Sequence, residues 1–396
     1  MRSVGLDLGV RKISLCEVVD QKAVCRATVE GVQGLERWLG PGSPKARVLF
    51  EACRTAWVVH QQLLDWGHEP VMLDTTRSRG YGIGARGQKN DRNDAEAIAK
   101  LAERGHYPQA HVLSIGRQRL RHLTLARRAL VEGRANLATT IRGIFTAEGL
   151  SLPSCEPERL ASVLETVALP ELLQLAVPPL HKALAATEQQ LCTIDEHLHA
   201  AVQKDTAMLR LMTVPGVAEV CAATFVSVVD DAARFRNAHQ VSAYLGLVPA
   251  QDSSGDRNRL GHITKRGNKY ARTLLVESAH VILNLRTLAL DPLRLWAKSL
   301  EERRGRKVAA VALARRLAGV LWAIWRDGTV YAPQLAARAS ARGVRLSAQQ
   351  RLDLADQLHP ARKKLARVAS ALRTRRARAD DNVPSTPQST SKTRLS

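Results

Sequence analysis

The first hundred residues alternate between short β-rich runs and amphipathic runs, and their order narrows the possible folds sharply. "RSVGLDLG" (2–9), "ISLCEVVD" and "AVCRATVE" read as three strands joined by short polar turns. "GLERWLG" reads as a short helix and "ARVLFEAC" (46–53) as an apolar, β-rich strand. "AWVVHQQLLDWG" (56–67) is an amphipathic helix closed by Gly67, and "EPVMLD" (69–74) is a further strand. The glycine-rich, basic "RSRGYGIGARGQKN" reads as a loop, after which a helix begins near Asp91.

A three-strand meander followed by α/β crossovers is the order of a ribonuclease H-like domain. Beyond it the pattern turns helical. From 117 to about 204 two long amphipathic runs, Arg-rich in the first, flank a Pro-punctuated stretch (152–179) and suggest a coiled-coil hairpin. From 208 to about 290 "LMTVPGVAEVCAATFVSVVDD" places Pro-Gly between two apolar helical runs, and "AQDSSGDRNRLGHITKRGNKY" reads as a polar, basic loop before the helix "ARTLLVESAHVILN". Another basic helical run covers 300–331. Residues 361–379 hold eight Lys/Arg and no acid, and the final "DNVPSTPQSTSKTRLS" has the composition of a disordered tail. The expected class is α/β plus α, divided as 1–110, 111–205, 206–331 and a basic extension with tail at 332–396.

The chain has 396 residues, with 59 Lys+Arg against 37 Asp+Glu and a formal net charge of +22. Such a surplus favours a polyanionic partner, because each neutralised phosphate releases counterions. An anionic membrane surface is the competing partner, but no apolar run approaches the roughly 18 residues of a spanning helix, and "MRSVGLDLGVRK" is not a signal peptide. The six cysteines are scattered without a C-x-x-C, which predicts buried free thiols in a reducing cytoplasm rather than zinc or disulfides.

Four acids stand out in this basic chain. Asp7 interrupts the apolar first strand and Glu51 ends the fourth, where burial of a carboxylate costs several kcal/mol unless something offsets it. Asp91 and Asp94, at i and i+3, project from one face of a helix start. Capping and the helix dipole explain that pair alone. A divalent cation explains it too, since adjacent carboxylates raise each other's pKa unless compensated. In a ribonuclease H-like sheet, strands one and four and the last helix converge, so Asp7, Glu51, Asp91 and Asp94 would surround one or two Mg²⁺ ions. Glu96, off the Asp91/Asp94 face, reads as solvated.

Here the residues carry a family. "GLDLG", "VLFEAC" and "KNDRNDAEAIAKLA" resemble the RuvC-like DEDD domain of bacterial insertion-sequence transposases. "LMTVPGVAEVCAATF", "YLGLVPAQDSSGDRNRLGHITKRGNKYARTLLVE" and "VALARRLAGVLWAIWRDGTVY" resemble that family's C-terminal serine transposase domain. The resemblance covers residues 1 to about 331. It implies a bridge-RNA-guided recombinase that cuts and rejoins donor and target DNA, with Mg²⁺ on the four acids. It implies a homo-oligomer, no membrane, and a cytoplasmic, nucleoid-associated bacterial location. It also implies a serine that joins to DNA. The match falls on "QDSSGD" and favours Ser254, with Ser253 second; without the resemblance those residues read as an ordinary turn. "TVPGVAEVCAA" resembles a helix-hairpin-helix, whose Pro215-Gly216 turn would offer backbone N–H groups to a phosphate. Lys265, Arg266, Asn268 and Lys269 read as nucleic-acid backbone contacts, or as a solvated basic loop. Two competing readings are a Holliday-junction nuclease using the acids and water, and a non-catalytic nucleic-acid scaffold.

Overall fold

The computed structural model describes residues 1–78, 91–254, 257–288 and 291–333, apart from the side chains of 252–260 and 286. The chain divides into two compact units, Met1–Ser114 and Ile115–Ser396.

In the first unit the element order expected from sequence is the one observed. Strands β1 (Arg2–Leu8), β2 (Lys12–Val19) and β3 (Lys22–Glu30) form an antiparallel meander. Helix α1 (Glu36–Leu39) leads to β4 (Ala46–Glu51), then α2 (Ala56–Asp65), β5 (Glu69–Leu73), the single turn α3 (Thr75–Ser78) and α4 (Asp91–Arg104). The sheet order is β3-β2-β1-β4-β5, with β1, β4 and β5 mutually parallel because helical crossovers connect them. Of the stretch read as a loop, Arg77 and Ser78 lie in α3, and 79–90 lie outside the described residues.

Apolar side chains cover both faces of this sheet. Val4, Leu6, Ile13, Leu15, Val48 and Phe50 pack on one face with Leu35, Leu39, Ala56, Val59 and Leu63. On the other, Leu49, Val71 and Leu73 meet Ile98, Leu101 and Ala102 of α4, while Cys16 and Val18 meet Ala95 and Ala99. Gly5 sets how closely α4 approaches. A Cβ there would lie 2.3 Å from both Ala95 O and Ala99 N, so no other residue fits without moving the helix.

The second unit begins with the long helix α5 (Ile115–Ala147), followed by α6 (Leu160–Thr166) and α7 (Val177–Gln203). Helices α5 and α7 lie antiparallel, as the ion pairs Arg127–Asp195 at 2.5 Å and Arg134–Glu188 at 3.5 Å show. Val177, Leu184, Leu191 and Leu198 are buried at a seven-residue spacing, the pattern of a helical hairpin seam.

A second core gathers around α8 (Thr206–Leu211), α9 (Glu219–Val229), α10 (Ala238–Tyr244), α11 (Lys269–Asn284), α12 (Pro292–Arg304) and α13 (Arg306–Asp327). Gly305, at φ +81°, separates α12 from α13 within the single run read from sequence. The 3-10 turn at 286–288 precedes α12, whose N-cap Asp291 also accepts the Tyr331 hydroxyl.

Three expectations change here. The stretch read as a loop at 250–270 contains an antiparallel hairpin, β6 (Pro249–Ser254) and β7 (Arg257–Ile263). Its consecutive polar residues, QDSS in β6 and RNR in β7, hide the strand signal, because a two-stranded ribbon needs no fully apolar face. Helix α13 is long and apolar enough to span a membrane by length and composition, contrary to the reading that no such run exists. Burial explains its composition, since Ala309, Ala310, Leu313, Ala314, Leu317, Ala318 and Leu321 line the core. Of the six free cysteines only Cys16 and Cys221 are buried, while Cys53 and Cys192 are exposed. The basic extension and tail lie outside the described residues, apart from 332 and 333.

Candidate active site

Register places the first two acids side by side. Along the parallel pair, Gly5 stands opposite Leu49 and Leu6 opposite Phe50, so the next level holds Asp7 and Glu51. Side chains alternate along a strand. Asp7 therefore shares the face of Gly5, and Glu51 shares the face of Leu49; both faces are covered by α4.

The direction of α4 brings the other two acids to the same end. Near its C-terminus, the Glu103 carboxylate accepts the Asp20 and Gln21 backbone N–H groups at 2.8 and 2.7 Å. Those residues form the β2–β3 turn, which lies beside the start of β1 because Ser3 pairs with Val18. The helix therefore runs antiparallel to β1, and its N-terminus reaches the end of β1 that carries Asp7. From Ala95 back to Asp91 is roughly 6 Å of helix, and from Gly5 on to Asp7 roughly 7 Å of strand. Asp91 falls on the buried line of Ala95, Ile98 and Ala102, and Asp94 flanks it.

All four acids thus occupy one edge of the layer between sheet and α4. Asp91 is exposed, and Asp7, Glu51 and Asp94 are half-buried. Asp91 and Asp94 lie in the first turn of α4, where the helix dipole favours negative charge. Among the described residues, no three His, Cys, Asp or Glu side chains stand close enough together to hold a metal ion as they are. The backbone gathers the carriers; it does not preset a closed ligand cage.

Ser78 is a residue that sequence reasoning missed. Its fully buried hydroxyl donates to Glu51 Oε1 at 2.5 Å and so fixes the orientation of that carboxylate. Nothing in "TTRSRG" marked it, because the contact spans 27 residues. Glu96 is a correction. It is ion-paired with Arg26 and with Lys100 at 2.7 Å, and the Lys100 and Arg26 bonds hold its carboxyl below the usual range. A half-buried glutamate between a lysine of its own helix and an arginine of β3 is a structural clasp, not a solvated charge.

The remaining candidates lie in the second unit. Ser254 closes β6 opposite Arg257, and Ser253 stands opposite Asn258. At the base of this hairpin the Thr264 N–H donates to Val248 O and the Lys265 N–H to Gly246 O. Arg272 of α11 donates to Leu245 O and Arg266 O at 3.2 and 3.3 Å, tying the two flanking turns together. Its burial lowers the guanidinium pKa. Lys265, Arg266 and Lys269 are exposed, whereas the Asn268 side chain caps α11 by accepting the Ala271 N–H at 2.9 Å. Pro215 and Gly216 form the turn before α9, a helix whose N-cap Ala218 supplies no side-chain bond to the first amides. Gly216, at φ +74°, lies against α11, where a Cβ would stand 2.7 Å from Ser278 O.

Comparison with known proteins follows these two blocks. Residues 208–291 match the family described as Transposase IS116/IS110/IS902, and residues 4–147 match the DEDD transposase family of IS110, described as a transposase. A probable family 20 transposase of Pseudomonas aeruginosa is 31% identical over 338 residues, covering 83% of this chain and 98% of its own length. The transposase for insertion sequence element IS1111A of Coxiella burnetii is 32% identical over 282 residues, covering 70% and 77%. The transposase for IS1328 of Yersinia enterocolitica is 28% identical over 334 residues, covering 83% and 98%. The chain belongs to the IS110 family of insertion-sequence transposases. In this transposase the first matched block holds all four acids, and the second holds both serines, the Pro215-Gly216 turn and the basic residues 265–269.

Proposed function

We propose that this IS110-family transposase cuts and rejoins DNA, with Asp7, Glu51, Asp91 and Asp94 as its metal-binding acids and Ser254 as its nucleophile. The convergence of four carboxylates at one edge, from two adjacent strands and a helix start, carries the reading. Hard oxygen donors on three elements suit Mg²⁺, which retains waters and phosphate oxygens in its shell. When bound, the ion supplies neutralisation of charge on the scissile phosphate. The sheet order with an antiparallel meander followed by parallel strands supports a ribonuclease H-like, RuvC-type domain.

The protein's own groups then divide the work. Glu51, oriented by Ser78, and Asp7 hold their positions on strands rooted in the core. Ser254 Oγ attacks phosphorus. An Oγ–P bond forms, a P–O bond of the DNA breaks, the serine proton passes to solvent and the leaving oxygen takes one up. Rejoining reverses these steps with a different DNA end. The hydroxyl oxygen keeps the bond energy in a phosphoserine link, so religation needs no outside energy source.

The wider reading follows the family. Lys265, Arg266, Lys269 and the Pro215-Gly216 turn are proposed contacts to nucleic-acid backbone. In this reading a structured guide RNA pairs with donor and target DNA. The α5–α7 region, within the division at 111–205, joins protomers of a homo-oligomer, and the protein works in the bacterial cytoplasm on the nucleoid. Asn268 is a proposed contact too: its carbonyl oxygen caps α11, and its amide NH2 is the group that would donate to a phosphate.

Denaturing electrophoresis of the protein with end-labelled substrate tests the serine step. Wild type is expected to form a detergent-resistant protein–DNA adduct, and Ser254→Ala none. An adduct that vanishes in Ser253→Ala and survives in Ser254→Ala moves the nucleophile by one residue. Cleavage without any adduct defeats the serine mechanism and leaves a metal-dependent nuclease that uses water.

A further inference from the structure

The acidic edge carries a second set of charges. It holds the β1–β2 turn, the link from β4 to α2 and the turn after β5, since β1, β4 and β5 are parallel. Arg11 and Lys12 are exposed on the first, Arg54 on the second and Arg77 on the third. The first turn is fixed by backbone bonds from Gly9 N–H to Lys12 O and from Gly31 N–H to Arg11 O, so its cations project from a set position. Elsewhere in this unit Arg2, Arg26, Arg47 and Lys100 are paired with Glu17, Glu96 and Glu69. Arg11, Lys12 and Arg54 have no ion-pair partner among the described residues, and Arg77 only touches Asp74 at 3.8 Å.

We propose that Arg11, Lys12, Arg54 and Arg77 form a phosphate-binding rim that grips the DNA backbone on both sides of the bond to be cut. The inference rests on the reading of the neighbouring acids as the cutting centre and names what brings a polyanion to them. Four carboxylates alone repel a phosphodiester. Cations on three successive turns offset that repulsion and concentrate DNA at the edge. Adjacent strands lie about 4.8 Å apart, so turns on β1, β4 and β5 span roughly 10 Å. That is about three nucleotide steps at 3.4 Å per strand. The contacts are to phosphate, so they position DNA without reading its sequence.

The test is binding of the full-length protein, in chelator, to a labelled duplex bearing the element's terminal sequence, across a salt series. Chelation removes cutting from the measurement. The triple variant Arg11→Gln, Lys12→Gln, Arg54→Gln is expected to lower the slope of log K against log salt by about 2.7, at 0.9 per lost contact. Arg11→Lys with Arg54→Lys keeps the wild-type slope if phosphate is the partner, which separates charge from misfolding. Lys22→Gln with Lys45→Gln, exposed cations at the opposite edge, leaves the slope unchanged. An unchanged slope in the triple variant, or an equal loss in the opposite-edge control, overturns the rim. A loss confined to a structured RNA probe, with duplex DNA unaffected, overturns it as a DNA site. Failure of the cutting-centre reading shows separately, as full metal-dependent cleavage by Asp7→Ala.

Discussion

The two candidate centres are built in opposite ways. Asp7 and Glu51 end central strands of a five-stranded sheet, with buried side chains on both faces behind them and α4 locked over Gly5. Ser254 ends a strand of a two-stranded ribbon, held at its base by backbone bonds and by Arg272. A ribbon of two strands has little stability of its own. The contrast matches the proposed division of labour. Groups that share a metal must keep fixed relative positions, so they sit on deeply rooted elements. A nucleophile that passes DNA from one partner to another needs reach, and a hairpin anchored at its root supplies it.

The largest expected effect tests the rigid half. Asp7→Asn keeps the side chain's shape but removes its charge and turns one acceptor oxygen into a donor, and should slow metal-dependent cutting by roughly 10³-fold, the several kcal/mol that a metal's charge stabilisation supplies. The side chain keeps its volume at the end of a well-packed strand, so thermal stability should stay close to wild type. Calorimetry beside a cleavage assay reads both. A variant that loses activity only because it melts earlier would make Asp7 a structural residue and erase the contrast.

A smaller effect probes the other half. Arg272→Ala removes the donor from the part-buried Leu245 O and from the exposed Arg266 O, which turns to water, so the stability cost is about 1 kcal/mol. Adduct formation should fall roughly tenfold, because the hairpin root loosens, while Mg²⁺ binding measured by calorimetry stays at the wild-type value. Equal damage to both readouts would mean that the hairpin and the acids do not act as separately rooted parts.

The two halves also differed in how well the sequence announced them. Apolar runs made β1, β4 and β5 legible, because both faces of the sheet are covered there, and strict alternation marked β3, whose every second residue is exposed. Asp7 and Glu51 stood out for the same reason, as charges in apolar runs, whereas Asp91 and Asp94 stood out by their i, i+3 spacing at a helix start. The β6–β7 hairpin was illegible, because consecutive polar residues without alternation match loop composition. Ser78 was illegible for a different reason. Its importance lies in a hydrogen bond to Glu51 between elements far apart in sequence, and no local pattern encodes that. Asn268 shows a role the basic loop did not announce: its carbonyl oxygen caps the helix that follows, beside whatever its amide NH2 contacts.

The smallest effect concerns thiols and leaves activity intact, yet it separates surface from core at single-residue resolution. Cys221 lies inside the second core beside the Ser278 hydroxyl at 3.4 Å, and burial pushes its thiol up to about 11. Cys16 is buried under α4 and is raised for the same reason. The thiolate is the reactive species, so at pH 8 both should resist alkylation until the protein unfolds. Cys53 and Cys192 are exposed and should react with iodoacetamide in the native state. Peptide mass spectrometry after a short pulse gives the pattern. Cys53 follows Glu51 by two residues, on the same edge as Arg54, whereas Cys192 lies on α7. Bound duplex DNA should therefore slow labelling of Cys53 and leave Cys192 unchanged. If DNA instead shields Cys192 and not Cys53, the duplex lies along the helical hairpin, and the acidic edge is not where the backbone is held.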